Sequence, residues 1–294
     1  AMKRRCRRMP CLMRQRTKLE YGEIIMIYNA KEQKTNLHNM QIDTISFGSG
    51  KKSLIMIQGL NTRGIKGASV SLAHMYRLFS KEYTVYLFDR RPDVPEGMTV
   101  RDMASDVAAA MDALGITNAD VFGVSQGGMI AQYLAIDRPD LVNKLVLAVT
   151  LSKNNPVVES TIEKWIVLTE QGNIKELVED MAIRMYSDAY VKRYKPFMPL
   201  LTVMQKPKDV NRFIKLARAC LTCNAFEELH KIQCPVFVIG GQQDKVVSGI
   251  ASSEIAEKLG CEIYMYEKFG HAAYEEARDF NDRVYAFLTG KENS

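Results

Sequence analysis

The chain is 294 residues long, enough to bury one large core or a core carrying an insertion. Its 47% hydrophobic and 25% charged residues are the proportions of an ordinary globular protein, and no apolar run approaches the roughly 18 residues of a spanning helix, so no membrane span is expected. The net charge of +6 is concentrated at one end: residues 1–18 hold eight cations and no acid, and the remainder carries 32 basic against 34 acidic groups, so no nucleic-acid face is expected on the globular part.

Residues 1–25 read as a basic N-terminal tail. They lack the apolar stretch of a secretory signal, and although Arg-rich like a transit peptide they are nearly devoid of Ser and Thr. A solvated tail without a part in activity is the expectation, with Met26 as a candidate start. Cys6 and Cys11 fall in that tail, and Cys234 and Cys261 lie beside predicted strands. Cys220 and Cys223 form a lone C-x-x-C inside a helical pattern, which is a poor zinc signal without a second pair. Reduced thiols in a cytoplasmic protein are expected, with no metal and no organic cofactor.

Short apolar runs then alternate with longer amphipathic ones. Met40 to Phe47 alternates and ends at Gly48-Ser49-Gly50, a strand and its turn. The strand Leu54 to Ile57 precedes a helical pattern over 68–80, and the strand Val85 to Phe88 precedes another over 99–114. The strand Val121 to Val124 precedes a helix over 127–137, and the strand Leu145 to Val149 follows. Residues 153–231 break this rhythm, reading as helices separated by Gly172, Pro196, Pro199 and Pro207 with no convincing strand. Within them Val210, Phe213, Ile214, Ala217 and Leu221 fall at helical spacing, with Arg212 and Lys215 on the other side and Lys208 one turn before. A solvated outer face is favoured for these cations over an anion-binding lid. The alternation resumes with the strand Val236 to Ile239, a helix over 249–259, the strand Ile263 to Tyr266 and a last helix over 273–288. The pattern predicts an α/β fold: a mainly parallel central sheet with helices on both faces, built from 26–152 and 232–294, with 153–231 inserted as a helical unit.

Gly123-Val124-Ser125-Gln126-Gly127-Gly128 lies between a strand pattern and a helix pattern. A serine on so sharp a turn has its hydroxyl held above the sheet, and the residues two before and two after it must be small. Gly123 and Gly127 meet that demand, which makes Ser125 the candidate nucleophile. A serine needs a base, and the chain has four histidines. His38 lies in a polar stretch, His74 inside a helical run and His230 beside Lys231, whereas His271 follows the last predicted strand, at the edge where parallel strands end. His271 is the candidate base. Its orienting carboxylate is expected to be Asp244, which follows the strand Val236 to Ile239 and gives the chain order Ser, Asp, His. The loop after Leu145 to Val149 offers no acid before Glu159. The bland alternatives are a helix-terminal histidine and a turn aspartate. The oxyanion donors are expected to be the backbone N–H groups of Gln126 and of Leu60, the latter in the loop opened by Gly59.

From about residue 40 onward the chain resembles the α/β-hydrolase family, and most of all its small-molecule esterases and lactonases of the 3-oxoadipate enol-lactonase type. The likeness rests on Leu54 to Gly59, Phe88-Asp89-Arg90-Arg91, Val100 to Gly115, Val121 to Arg138, Cys234 to Gly240 and Gly270 to Leu288. It implies a serine hydrolase acting on a small carboxylic ester or lactone, with Ser125, Asp244 and His271 as triad, Leu60 and Gln126 as oxyanion hole, and 153–231 as a cap over a small-molecule substrate. Two alternatives stand beside this: a C–C bond hydrolase or perhydrolase on the same triad, and a non-catalytic ligand-binding homologue. The C–C hydrolases resembled here usually pair an aromatic with an Arg near the serine, and Trp165 alone decides nothing. Two departures are visible. Gln58 stands where most relatives have His, and the loop Asp89 to Val94 has lost a glycine and gained a proline, which is expected to alter a wall of the pocket. Met181, Met185, Met198 and Met204 are expected to be core more than pocket lining. Substrate identity and oligomeric state, homo-oligomer included, are left open.

Overall fold

The structure, a computed structural model, describes residues 28–37 and 40–291; the basic tail, Met26, Cys6, Cys11 and His38 lie outside the described residues. The strands are β1 (Lys31–Leu37), β2 (Met40–Gly48), β3 (Lys52–Ile57), β4 (Tyr83–Phe88), β5 (Ala119–Val124), β6 (Val142–Ala148), β7 (Val236–Gly241) and β8 (Glu262–Tyr266). They form one sheet in the order β1-β2-β4-β3-β5-β6-β7-β8. The pairs β1–β2 and β2–β4 are antiparallel and every other pair is parallel.

The alternation of side chains along each strand divides the core into two layers. Ile55, Ile57, Val121, Leu145, Leu147 and Val238 face the helices Val100–Ala113 and Gln126–Asp137 on one side. Leu54, Met56, Leu87, Phe122, Val146 and Ile239 face Ala73, Phe280, Val284 and Leu288 on the other. Every residue of β5 and of β7 is buried, as strands covered on both faces must be. The fold is therefore α/β, a mostly parallel sheet with helices on both faces.

One strand was not predicted, and two expectations need correction. β1 carries no apolar alternation, and five of its seven residues are exposed. It forms because it is the charged edge of the sheet, anchored by Thr35 Oγ1 to Thr44 Oγ1 at 2.7 Å and by the buried Leu37. The last helix is two, Ala273–Glu276 and Phe280–Thr289. Ala277 between them is extended, and the Asp279 carboxylate accepts from Tyr266 Oη at 2.9 Å and from Arg283 Nε at 2.7 Å.

The second correction concerns Arg212 and Lys215 on the helix Val210–Cys220. They do not form a solvated face. Arg212 donates to Asp89 Oδ1 at 3.2 Å, to the Arg90 carbonyl at 2.9 Å and to the Arg91 carbonyl at 3.3 Å. Lys215 donates to the Val94 carbonyl at 2.9 Å. The segment after β4 contains Pro92 and Pro95 and joins no helix or strand before Val100, so its carbonyls need donors from outside. The cations supply them and fasten the helical segment between β6 and β7 to the sheet. That segment holds the helices Pro156–Glu170, Ile174–Met185, Asp188–Tyr194, Met198–Gln205 and Val210–Cys220, and its only β contact among the described residues is an isolated bridge from Lys153 to Asn224. No helix among the described residues is long and apolar enough to cross a membrane.

Arg212→Met is expected to lower the unfolding free energy by about 2 kcal/mol, because it strands two carbonyls and removes the ion pair to Asp89. Arg218→Met on the same helix, whose side chain is 51% exposed, is expected to change it by less than about 0.5 kcal/mol. Urea denaturation of both variants measures the difference.

Candidate active site

The parallel strands β3, β5, β7 and β8 all end at one edge of the sheet, and β3 lies directly beside β5. Loops leaving that edge bring Gly59, Ser125, Asp244 and His271 together. Ser125 stands between β5 and the helix Gln126–Asp137 with φ 55° and ψ −121°, a strained backbone for a residue with a side chain. Its flanking glycines show what the turn demands. A Cβ on Gly127 would lie 1.9 Å from the Ile57 carbonyl oxygen, and one on Gly123 would lie 2.5 Å from that of Gly127. The turn is pinned from β6, with Ser125 N–H donating to the Ala148 carbonyl at 2.9 Å and Thr150 Oγ1 to the Ser125 carbonyl at 2.7 Å.

Ser125 Oγ lies 2.9 Å from His271 Nε2, and His271 Nδ1 lies 2.7 Å from Asp244 Oδ2. The imidazole and the carboxylate are almost wholly buried, their side chains 4% and 2% exposed. Asp244 Oδ1 accepts the N–H groups of Val246 at 2.8 Å and Val247 at 2.9 Å. The turn-aspartate reading and the histidine-partner reading are thus both realised, one on each oxygen. His271 precedes the helix Ala273–Glu276, and the next N–H, of Ala272, donates to the Met185 carbonyl at 2.8 Å. His74 is an exposed helix residue, and His230 Nδ1 pairs with the Glu227 carbonyl at 2.7 Å, so neither meets the serine.

Gln126 is the first residue of its helix, so its N–H has no partner within the helix. Gly59 approaches closely: a Cβ there would lie 3.2 Å from Ser125 Cβ. Leu60 and Ser125 line the same small cavity of about 50 Å³. Its other walls are Gly59, His271, Met129, Val158, Ile162, Trp165, Met185, Val246, Val247, Tyr274 and Cys220, mostly apolar. The Gln126 side chain reaches away from it, donating to the Leu216 carbonyl at 2.7 Å and contacting Cys220 Sγ at 3.1 Å. The same residue therefore ties the serine turn to the helix Val210–Cys220.

Trp165 is a wall that sequence reading did not single out. Val158, Ile162 and Trp165 recur at helical spacing, a signal that was present, but only the packing shows which cavity that face lines. Trp165 Nε1 donates to Asp180 Oδ2 at 2.9 Å, and Asp180 also receives Lys164 Nζ at 2.6 Å and Arg184 Nε at 2.9 Å. Burial acts to raise the Asp180 pKa, and these hydrogen bonds and charges outweigh it, leaving it lowered. Among the methionines, Met185 lines the cavity, Met181 packs on the core, and Met204 is 52% exposed. Residues 89–94 are not a wall of this cavity. Asp89, Arg90 and Pro92 face a separate cleft, so the altered loop does not wall the space beside Ser125.

Gln58 acts through its backbone: its carbonyl accepts Arg90 Nη2 at 2.6 Å. Arg91 makes a two-pronged pair with Asp106 at 2.8 and 2.5 Å. Cys220 and Cys223 are buried free thiols whose pKa burial pushes up to about 12, which holds both protonated.

Residues 52–278 match the profile of the alpha/beta hydrolase fold family. The protein named "Putative carbamate hydrolase RutD" from Caulobacter segnis is 26% identical over 242 residues, 79% of this chain and 91% of that protein. The 3-oxoadipate enol-lactonase 2 of Acinetobacter baylyi is 24% identical over 216 residues, 71% of this chain and 80% of that protein. The crystal structure of the enol-lactonase from Burkholderia xenovorans LB400 superposes with a TM-score of 0.76 at 19% identity, covering 87% of this chain and 100% of the other.

Gly127→Ala is expected to destabilise the protein by at least about 3 kcal/mol, since the atom it meets is backbone and cannot step aside. A urea midpoint within error of the parent protein's would show that the turn is looser than its geometry implies.

Proposed function

The chain belongs to the α/β-hydrolase fold family and is a hydrolase, and on that premise we propose that it cleaves a small carboxylic ester or lactone through an acyl-enzyme on Ser125. The observation that carries the reading is the continuous chain from Ser125 Oγ to His271 Nε2 and from His271 Nδ1 to Asp244, at 2.9 and 2.7 Å, opening onto an apolar cavity. In this reading His271 takes the serine proton as Ser125 attacks the carbonyl. Asp244 holds the imidazole in one tautomer and stabilises the imidazolium. The N–H groups of Leu60 and Gln126 receive the developing oxyanion, where a single donor is worth roughly 3–4 kcal/mol. His271 then protonates the departing oxygen, and water repeats the sequence to release the acid.

The segment 153–231 serves as the cap. It contributes Val158, Ile162, Trp165, Met185 and Cys220 to the cavity, and β6 and β7 flank it in the chain. The small volume of about 50 Å³ supports a short acyl group. Of the relatives' names, two point to carbamate and lactone chemistry, both carbonyls bearing a heteroatom leaving group, and a third, the 2-hydroxy-6-oxononadienedioate/2-hydroxy-6-oxononatrienedioate hydrolase of Pseudomonas sp, 26% identical, stands with the C–C reading. The chemistry common to the first two supports acyl transfer. For the C–C reading Trp165 supplies the aromatic, but no arginine lines the cavity among the described residues, which favours the ester or lactone.

Ser125→Ala is expected to lower kcat on p-nitrophenyl acetate by at least about 10³-fold with the thermal unfolding midpoint unchanged or raised. Asp244→Asn is expected to cost about 10⁴-fold in kcat. Full turnover by Ser125→Ala, or failure of a fluorophosphonate to label Ser125 in the parent protein, would overturn the nucleophile assignment. A panel of short esters, lactones and carbamates then separates the leaving groups.

A further inference from the structure

Behind the loop that carries Leu60 lies a second cleft, of about 240 Å³. Gly59 and Leu60 line the cavity at Ser125, while Asn61, Thr62 and Arg63 of the same loop line this one. Its walls carry six cations, Lys34, Arg63, Lys66, Arg90, Lys208 and Arg212, against three carboxylates, Asp43, Asp89 and Asp209, an excess of three positive charges. In a chain whose described part is close to neutral, that concentration is local.

Part of this charge is uncommitted. Arg212 is paired with Asp89, whose oxygens also accept the N–H groups of Ile65 and Arg90. Asp209 Oδ1 caps its helix by accepting the Arg212 N–H at 2.9 Å. Lys34 stands opposite Asp43 in the β1–β2 ladder, and neither it nor Lys208 forms an ion pair among the described residues. Lys66 acts on Glu32, whose carboxylate also accepts the N–H groups of Gly67 and Ser69. Arg63 donates to a carbonyl, that of Met204, at 2.9 Å.

The floor is Arg90, only 7% exposed, with one guanidinium nitrogen on the Gln58 carbonyl and its Nε without an acceptor. Burial draws its pKa down to about 10, the mark of a cation short of compensation. A buried arginine with a free Nε–H that shares one cleft with Lys34, Lys66 and Lys208 is a donor set suited to an oxyanion, the arginine by its fork and the lysines as point charges.

We propose that this cleft is an anion site, which takes the phosphate or carboxylate group of a small molecule. Its volume is below the roughly 300–1,000 Å³ of a drug-sized pocket, so the fit is to a compact charged group. A bound anion would bridge the loop of Arg63 and Lys66, the edge strand of Lys34 and the segment of Lys208. The loop and the segment of Lys208 already meet through the Lys208 N–H on the Thr62 carbonyl at 3.3 Å. The group has two sources, a free anion or the charged tail of a substrate.

Inorganic phosphate, titrated calorimetrically into the full chain against sodium chloride of equal ionic strength, tests the site. Saturable binding is expected in the parent protein and in Ser125→Ala, so the result is independent of the serine chemistry. The double variant Lys66→Ala/Lys208→Ala should bind at least about tenfold more weakly with its unfolding midpoint unchanged, and Lys66→Arg/Lys208→Arg should restore binding. Absence of saturable binding in the parent protein, or equal binding by the alanine double variant, overturns the proposal. A second arm assigns the source. Phosphate that competes with a p-nitrophenyl ester bearing a terminal carboxylate, and not with p-nitrophenyl acetate, identifies a substrate tail; phosphate that acts on both esters alike, or on neither, identifies a free anion. Either pattern is consistent with the site once the first arm has shown binding.

Discussion

The architecture at the sheet edge depends on how closely the helix Gln126–Asp137 approaches β3. Gly127 touches the Ile57 carbonyl so tightly that any side chain would lie within 1.9 Å of it. That contact forces the chain to turn at once after β5, and the turn forces Ser125 into a left-handed backbone. From this follow the exposed hydroxyl, the free first N–H of the helix, and the proximity of the Gly59 loop. Because β3 and β5 are neighbours in the sheet, one close contact positions both the proposed nucleophile and the proposed oxyanion donors.

The buried chain of Ser125, His271 and Asp244 has a different basis. A carboxylate with 2% of its side chain exposed would be costly unless its lone pairs were filled. Asp244 fills them from two directions, two turn N–H groups on one oxygen and the imidazole on the other. The turn therefore fixes the acid, the acid fixes the imidazole, and the imidazole reaches the serine. Each link is set by a loop that leaves a different strand, so the geometry belongs to the sheet order and not to any one segment.

Hydrogen bonds to the backbone also decide how the helical segment closes over the site. Arg212 and Lys215 satisfy carbonyls of a proline-containing loop, and Gln126 satisfies the Leu216 carbonyl from the opposite side. The helix Val210–Cys220 is held between them. Asp180 does the same for Trp165, receiving its indole N–H together with two cations. The apolar cavity is thus framed by polar contacts one layer out, which orient its walls without placing charge inside it. The cleft on the far side of the Gly59 loop is different, its walls carrying an excess of three cations.

The sequence by itself determined the α/β alternation and the loops that carry Ser125, Asp244 and His271. Strand alternation, helical spacing and the glycine demands of a sharp turn are local properties, written within a few residues of each other. β1 escaped it because an edge strand needs no apolar pattern, only a partner, and Lys31–Leu37 finds that partner in β2. The break in the last helix escaped it because the helical pattern runs on while Asp279 bonds Tyr266 of another element. Only the tertiary structure decided that Arg212 faces inward, that Trp165 rather than the loop at Asp89 walls the cavity, and that cations from β1, the Gly59 loop and the helical segment share one cleft. Those facts depend on which distant residues meet, and a pattern along the chain carries no record of which carbonyl across the fold lacks a donor.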